Sequence, residues 1–234
     1  MLKVMIGCPV RDRAWVLPRY LDCLEKLHTN TFQPQYCFII NDCSDHSPRI
    51  IAEFACRQPG IVRLIEKNYD SPGSHRRGQY NFSRLAELRN LLLTAFLDSD
   101  CDYLFSLDSD ILVSAGTLTL LLADNCDIVS ALVCNGHEIG DPSIYNILEQ
   151  GSDGSYRHIR NFPRDRVFPV DCTGAAYLIK RAVTEAGVRY SSQRGGEDIA
   201  FCEAARSRGF NIFCDGRVEC LHLMREGGGE RSKE

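Results

Sequence analysis

The chain predicts an α/β fold, a mostly parallel sheet with helices on both faces and a small antiparallel hairpin inserted late, and three observations carry that reading. Apolar runs of strand length alternate with helix-length segments through the first 110 residues in the order β-α-β-α-β-α-β, the pattern of a helix-covered parallel sheet. Three of the runs stop on polar clusters, Pro9-Val10-Arg11, Asn41-Asp42 and Asp108-Ser109-Asp110, at the carboxyl edge where open α/β sheets take their ligands. Beyond residue 134 the alternation gives way to two short runs around a Gly-Ser-Asp-Gly turn.

Leu2 to Gly7 is a short apolar run that breaks at Cys8-Pro9, the first strand. Leu17, Tyr20, Leu21, Leu24 and Leu27 then recur at helical spacing after the Arg11-Asp12-Arg13 turn. Tyr36 to Ile40 is a second buried strand. Ser47-Pro48 opens the next helix, with proline at its first position and Ile50, Ile51, Phe54 and Ala55 as its core face. Ile61 to Ile65 is the third strand. Residues 68–82 carry Pro, two Gly and the Arg76-Arg77 pair without periodicity and read as a loop with solvated arginines. From Ser83 a helix runs through Leu85, Leu88, Leu92 and Phe96 into the apolar run that ends at Asp108.

A short helix around Leu118 to Leu122 and a strand from Asp127 to Val133 follow. Ile144 to Leu148 and Tyr156 to Ile159 form the predicted hairpin, and Ala175 to Lys180 a further strand. Glu197 to Arg208 is a helix stopped by Gly209, and Phe210 to Cys214 a last buried strand. We read one domain over 1–225, with a nucleotide-type half (1–110) and an acceptor-type half (111–225). The Gly-rich, charged tail 226–234 reads as disordered.

A length of 234 residues allows a sizeable core, and a net charge of -4 argues against a nucleic-acid partner. No apolar run reaches the roughly 18–20 residues of a membrane span, and no signal-peptide pattern opens the chain, so a cytoplasmic protein is expected. The twelve cysteines fall mostly inside apolar segments and show no Cys-x-x-Cys spacing. They read as buried thiols in a reducing compartment rather than as disulfides or a zinc ribbon.

Asp108 and Asp110 suit a divalent cation that holds a diphosphate. Mg²⁺ or Mn²⁺ takes one or two carboxylates and fills its other positions with phosphate oxygens and water. Asp42, at a strand end, is placed to accept from a base or ribose donor, or to close an Asx-turn. Glu197-Asp198 opens a helix whose dipole favours carboxylates there.

The segments Cys8-Pro9-Val10-Arg11-Asp12-Arg13, Ile39-Ile40-Asn41-Asp42-Cys43-Ser44-Asp45, Leu88-Arg89-Asn90, Leu107-Asp108-Ser109-Asp110, Thr173-Gly174-Ala175-Ala176, Gly196-Glu197-Asp198-Ile199-Ala200 and Leu221-His222-Leu223 occur in the order and rough spacing of family 2 glycosyltransferases. To about residue 224 the chain resembles that family. The resemblance implies the GT-A, or nucleotide-diphospho-sugar transferase, fold. It also implies metal-dependent transfer of a hexose from a nucleotide donor, a UDP-sugar first, to a hydroxyl of a saccharide, lipid-linked or protein acceptor, with inversion.

By the same resemblance Asp42 accepts from the nucleobase, Pro9, Val10, Arg11 and Ser109 surround the donor, and Arg84 or Arg89 stands on the opposite rim. Asp110 and His222 hold Mn²⁺ or Mg²⁺, with Asp108 toward the ribose or a metal-bound water; the imidazole tilts the choice to manganese. Asp198 is the implied base, and Gly174, Ala175 and Glu197 lie on the sugar and acceptor side. The chain departs from the family at Arg11-Asp12 and at Asn41-Asp42-Cys43-Ser44, which leaves the nucleotide open.

Two other enzyme readings fit less well. Phosphatases of the haloacid-dehalogenase type carry Asp-x-Asp after the first strand, not after three βα units, and sugar-nucleotide pyrophosphorylases have a Gly-rich first turn that Gly7-Cys8-Pro9-Val10 is not. A catalytically inactive sugar-nucleotide-binding protein is the alternative from another class, against which Asp198 and His222 both speak.

Overall fold

The computed structural model describes residues 1–70, 81–136, 140–193 and 196–224. The Arg76-Arg77 pair and the tail from 226 lie outside the described residues. In chain order come β1 (Leu2–Val10), α1 (Leu17–Glu25), β2 (Phe32–Ile40), α2 (Ser47–Arg57), β3 (Val62–Glu66), α3 (Phe82–Leu97) and β4 (Tyr103–Leu107). The second half holds β5 (Ile111–Leu112), α4 (Thr117–Ala123), β6 (Ile128–Val133), β7 (Ile147–Gln150), β8 (Tyr156–His158), β9 (Val167–Pro169), β10 (Cys172–Thr173), β11 (Ala176–Lys180), α5 (Arg181–Glu185), α6 (Glu197–Arg206) and β12 (Ile212–His222).

The central sheet runs β3-β2-β1-β4-β11-β6-β12-β5, with β9 also on β12. β1, β2, β3 and β4 pair in parallel, as βαβ crossovers require. β11 lies antiparallel between β4 and β6. Strand side chains alternate between two cores. Val4, Ile6, Phe38 and Phe105 pack with α1, α2 and α4 on one face. Met5, Ile39, Leu104 and Ile128 pack with α3, α5 and α6 on the other. A separate sheet, β10-β7-β8, is the predicted insertion, with its first strand shifted to Ile147–Gln150 and a third strand added.

Local chemistry explains several element ends. Asn81 accepts from the Arg84 backbone N–H at 3.1 Å, so α3 starts at Phe82, one residue ahead of the sequence reading. α6 ends at Arg206, and Gly209 takes φ 85° to turn the chain away.

The last strand is the largest correction: β12 continues eight residues past Cys214, to His222. The register of β12 on β6 shifts between Asp215 and Glu219, which makes Asp215-Gly216-Arg217 part of a bulge. Asp215 is fully buried and accepts from the Arg217 Nε at 2.8 Å, while Arg217 Nη2 reaches Asp124 at 2.6 Å. Beyond the bulge the strand resumes on β6 and then on β5, with His222 opposite Ile111.

Candidate active site

A cavity of about 840 Å³ opens at the carboxyl ends of β1 and β4. Its walls include Pro9, Arg11 and Arg13 after β1, Arg84 and Arg89 on α3, Asp108, Ser109 and Asp110 after β4, Gly174 and Ala175 before β11, Glu197 and Asp198 on α6, and His222. The insertion contributes Asn146, Leu148 and His158. Two sequence-chosen residues are not on these walls. Val10 is fully buried in the core, and the Asp42 carboxylate accepts from the Tyr69 N–H at 2.8 Å and from Asn41 Nδ2 at 3.0 Å. Asp42 itself takes φ 44°, in a strand-end turn.

The end of β4 is held firmly. Tyr20, buried on α1, donates its hydroxyl to the Leu107 carbonyl at 3.1 Å, and the Asp108 N–H donates to the Ala175 carbonyl at 2.8 Å. Ile111 N–H closes the Asp-Ser-Asp turn on the Asp108 carbonyl at 3.0 Å. Arg89 is buried, and its fork spreads to Asp108 at 2.8 Å, Ser106 at 3.2 Å and Glu197 at 3.2 Å. A single guanidinium thus ties β4 to the start of α6. Asp108 and Glu197 supply the counter-charge that lets it be buried.

Asp110 faces a different pair. Its Oδ2 lies 3.3 Å from Arg13 Nη2, and its Oδ1 lies 3.6 Å from His222 Nε2. Burial opposes ionisation of Asp110, but His222 and Arg13 hold its carboxyl below the ordinary range. His222 Nδ1 lies 3.0 Å from Asn135 Oδ1. An amide oxygen can only accept, so Nδ1 carries the proton and Nε2 presents its lone pair to the cavity when the ring is neutral.

The donors fit a hard or borderline divalent cation: one carboxylate, one imidazole, and open space for phosphate and water oxygens. Asp108 does not join them within 4.8 Å; among the described residues the acid and thiol group that does converge is Asp12, Cys43 and Asp45.

Asp198 approaches Gly174 so closely that a β-carbon there would meet Oδ2 at 2.2 Å. The neighbouring residue, Ala175, carries φ 66°, and Ala176 N–H reaches back to the Gly174 carbonyl at 2.8 Å. This is a tight three-residue turn of the strained hand. Asn146, buried on the insertion, secures it by donating to the Gly174 carbonyl at 2.8 Å. Tyr177 donates to Asp198 Oδ1 at 3.1 Å and also meets the Tyr190 hydroxyl. Burial pushes the Asp198 carboxyl up to about 7, against the opposing charge of Arg89.

Arg13, Asn135, Asn146 and Tyr177 went unassigned in the sequence. Arg13 carried a signal, since it follows the first strand as Arg11 does. The other three act through partners 21 to 87 positions away and leave no local trace.

The chain superposes along 100% of its length on GalNAc-T7 solved with UDP, GalNAc and Mn²⁺, with a TM-score of 0.70, 14% identity and 46% of that chain covered. The fold is that of the GT-A glycosyltransferases. No protein-family model matches the chain. It is 24% identical over 195 residues to procollagen galactosyltransferase 1-B of Xenopus laevis, covering 75% of this chain and 31% of that protein. It is 28% identical over 151 residues to procollagen-lysine,2-oxoglutarate 5-dioxygenase 1 of Gallus gallus, covering 59% of this chain and 20% of that protein. The chain spans less than a third of the length of either curated relative.

Proposed function

We propose that this chain is a glycosyltransferase that moves a sugar from a nucleotide-diphosphate donor, a UDP-sugar first, to an acceptor hydroxyl. The observation that carries the reading is that one cavity is lined both by the Asp110–His222 pair and by Asp198, held against Gly174. A nucleoside diphosphate sugar laid between them has its phosphates beside Asp110 and its anomeric carbon toward Asp198. UDP and Mn²⁺ in GalNAc-T7, and the galactosyltransferase named among the relatives, support the same class.

Asp110 and His222 would hold Mn²⁺ or Mg²⁺, with Asp108 directed to the ribose or to a metal-bound water. A bound divalent ion supplies Lewis-acid stabilisation of the leaving diphosphate. Asp198 takes the proton of the acceptor hydroxyl as that oxygen attacks the anomeric carbon. The C–O bond to the acceptor forms, the C–O bond to the phosphate breaks, and the nucleoside diphosphate departs with the electron pair. One displacement inverts the anomeric configuration. A carboxyl raised toward neutrality is well matched to such a step, which contributes on the order of 10²- to 10⁴-fold. Arg11 and Arg84 face the donor; Arg89 acts indirectly, by holding Asp108 and Glu197.

Calorimetric titration with UDP, GDP and dTDP, with and without Mn²⁺, tests the donor site; binding of none of them removes the reading. With an acceptor in hand, retained turnover in Asp198→Asn would remove the base, and a product of retained configuration would remove the single displacement. Release of phosphate from a simple ester would point to a phosphatase instead.

A further inference from the structure

The site holds two arginine–aspartate pairs of opposite character. Arg89 is buried and spread over three partners, with its contact to Asp108 at 2.8 Å. Arg13 meets Asp110 at 3.3 Å and the Arg11 carbonyl at 3.3 Å, both longer than the roughly 2.7–2.9 Å of a tight charge-assisted bond. Its Nε is buried without a partner, and so is the Nε of Arg11 beside it. Buried donors in this condition ask for an acceptor. Both residues line the cavity.

The backbone of Arg13, by contrast, is clamped. Its N–H donates to Ser47 Oγ at 2.7 Å, the next N–H donates to Asp45 at 2.8 Å, and its carbonyl accepts from Val16 and Leu17 at 3.0 and 2.9 Å. The guanidinium head is therefore the movable part of an anchored residue.

Resting on the donor-site reading above, we propose that Arg13 is the resident counter-ion of Asp110, which a divalent cation displaces, and that the released guanidinium joins Arg11 in binding the phosphates of the incoming nucleotide. A cation seated on Asp110 and a guanidinium 3.3 Å from the same carboxylate repel each other. The negative charge of a diphosphate relieves both. Metal and nucleotide then bind with positive coupling, of the order of 5- to 150-fold for such linked sites. The free site keeps a low affinity for the metal alone, because Asp110 is already neutralised.

The test is calorimetry on the whole chain with Mn²⁺ alone, UDP alone, and UDP in saturating Mn²⁺. Arg13→Gln is expected to bind Mn²⁺ alone on the order of 10-fold more tightly, to bind metal-free UDP on the order of 10-fold more weakly, and to lose most of the coupling. Arg11→Gln is expected to weaken UDP and leave Mn²⁺ alone unchanged. The proposal is overturned if Arg13→Gln leaves Mn²⁺ affinity unchanged or lower while the wild type binds both ligands. A wild type that binds neither removes the donor-site reading itself, and the proposal with it. Should Arg13→Gln fail to fold by thermal melt, Arg13→Lys keeps the charge without the fork. It is expected to hold Mn²⁺ affinity at the wild-type value and weaken metal-free UDP several-fold, and unchanged UDP affinity there counts against the proposal.

Discussion

The carboxylate of Asp198 occupies the space that a side chain at Gly174 would need: a β-carbon at 174 would lie 2.2 Å from Oδ2. Gly174 and Asp198 therefore form one unit, in which the absence of a side chain on the β10–β11 link sets the position of a carboxylate on α6. Gly174→Ala is expected to push Asp198 out of the cavity and lower kcat by at least about 10²-fold, the scale on which a misplaced catalytic group costs rate. Steady-state kinetics checks this, with circular dichroism to establish folding. Ala175→Gly, which relieves φ 66°, is expected to keep the fold and raise stability by a few tenths of a kcal/mol up to about 1 kcal/mol.

Asp198 also makes stability depend on pH. Its carboxyl is raised by burial to about 7, against about 3.9 in an unfolded chain. A raised acid binds its proton more tightly in the folded state, so this contribution is fully present below the unfolded value and lost as pH rises through about 7. Asp198→Asn carries no charge to bury and is expected to gain stability relative to the wild type between pH 5 and pH 8.5 (both about). Urea denaturation at those two values checks the sign, and an equal difference at both would contradict it.

His222 depends on Asn135 for its ring orientation. Asn135→Leu removes the acceptor for Nδ1 and is expected to weaken Mn²⁺ binding by about 10- to 100-fold, the usual penalty for losing an outer hydrogen bond to a ligand histidine. Calorimetry in saturating UDP measures this.

Ligand-induced stabilisation gives an independent view of Asp110. With Mn²⁺ saturating throughout, adding UDP at about 100 times its dissociation constant is expected to stabilise the wild type by about 2.7 kcal/mol and Asp110→Ala by almost none of it. Thermal melts with and without UDP provide the comparison.

Arg89 is a structural test of the same site. Arg89→Met leaves Asp108 and Glu197 without their shared partner, and breaking a buried ion pair from one side costs about 3–5 kcal/mol. Urea midpoints should fall accordingly, and any residual activity should have its rising limb moved to higher pH, because Arg89 is what opposes the raised Asp198 carboxyl.

Much of this was legible in the residues themselves. The βα alternation through Asp110, the strand that ends on Asp108 and Asp110, and the helix opening at Glu197 are local patterns, since apolar spacing reports which face of an element is covered. Helices do flank both faces of the sheet, and the insertion is antiparallel. What the local pattern missed was the continuation of the last strand beyond Cys214, where Asp215-Gly216-Arg217 is a bulge within one strand and Asp215 is buried with Arg217 as its counter-ion. That single difference carries His222 to Asp110.

The sequence by itself determined the order of elements and the chemical types at the sheet edge, because hydrophobic period and strand-end acids are properties of neighbours along the chain. Only the tertiary structure decided which charge meets which: Arg89 with Asp108 and Glu197, Arg13 with Asp110, Tyr177 and Gly174 with Asp198. The physical reason is distance along the chain. Side chains 19 to 108 positions apart are paired by how β11 and β12 enter the sheet and how α3 and α6 pack beneath it, and no spacing rule along a strand or helix encodes those partners.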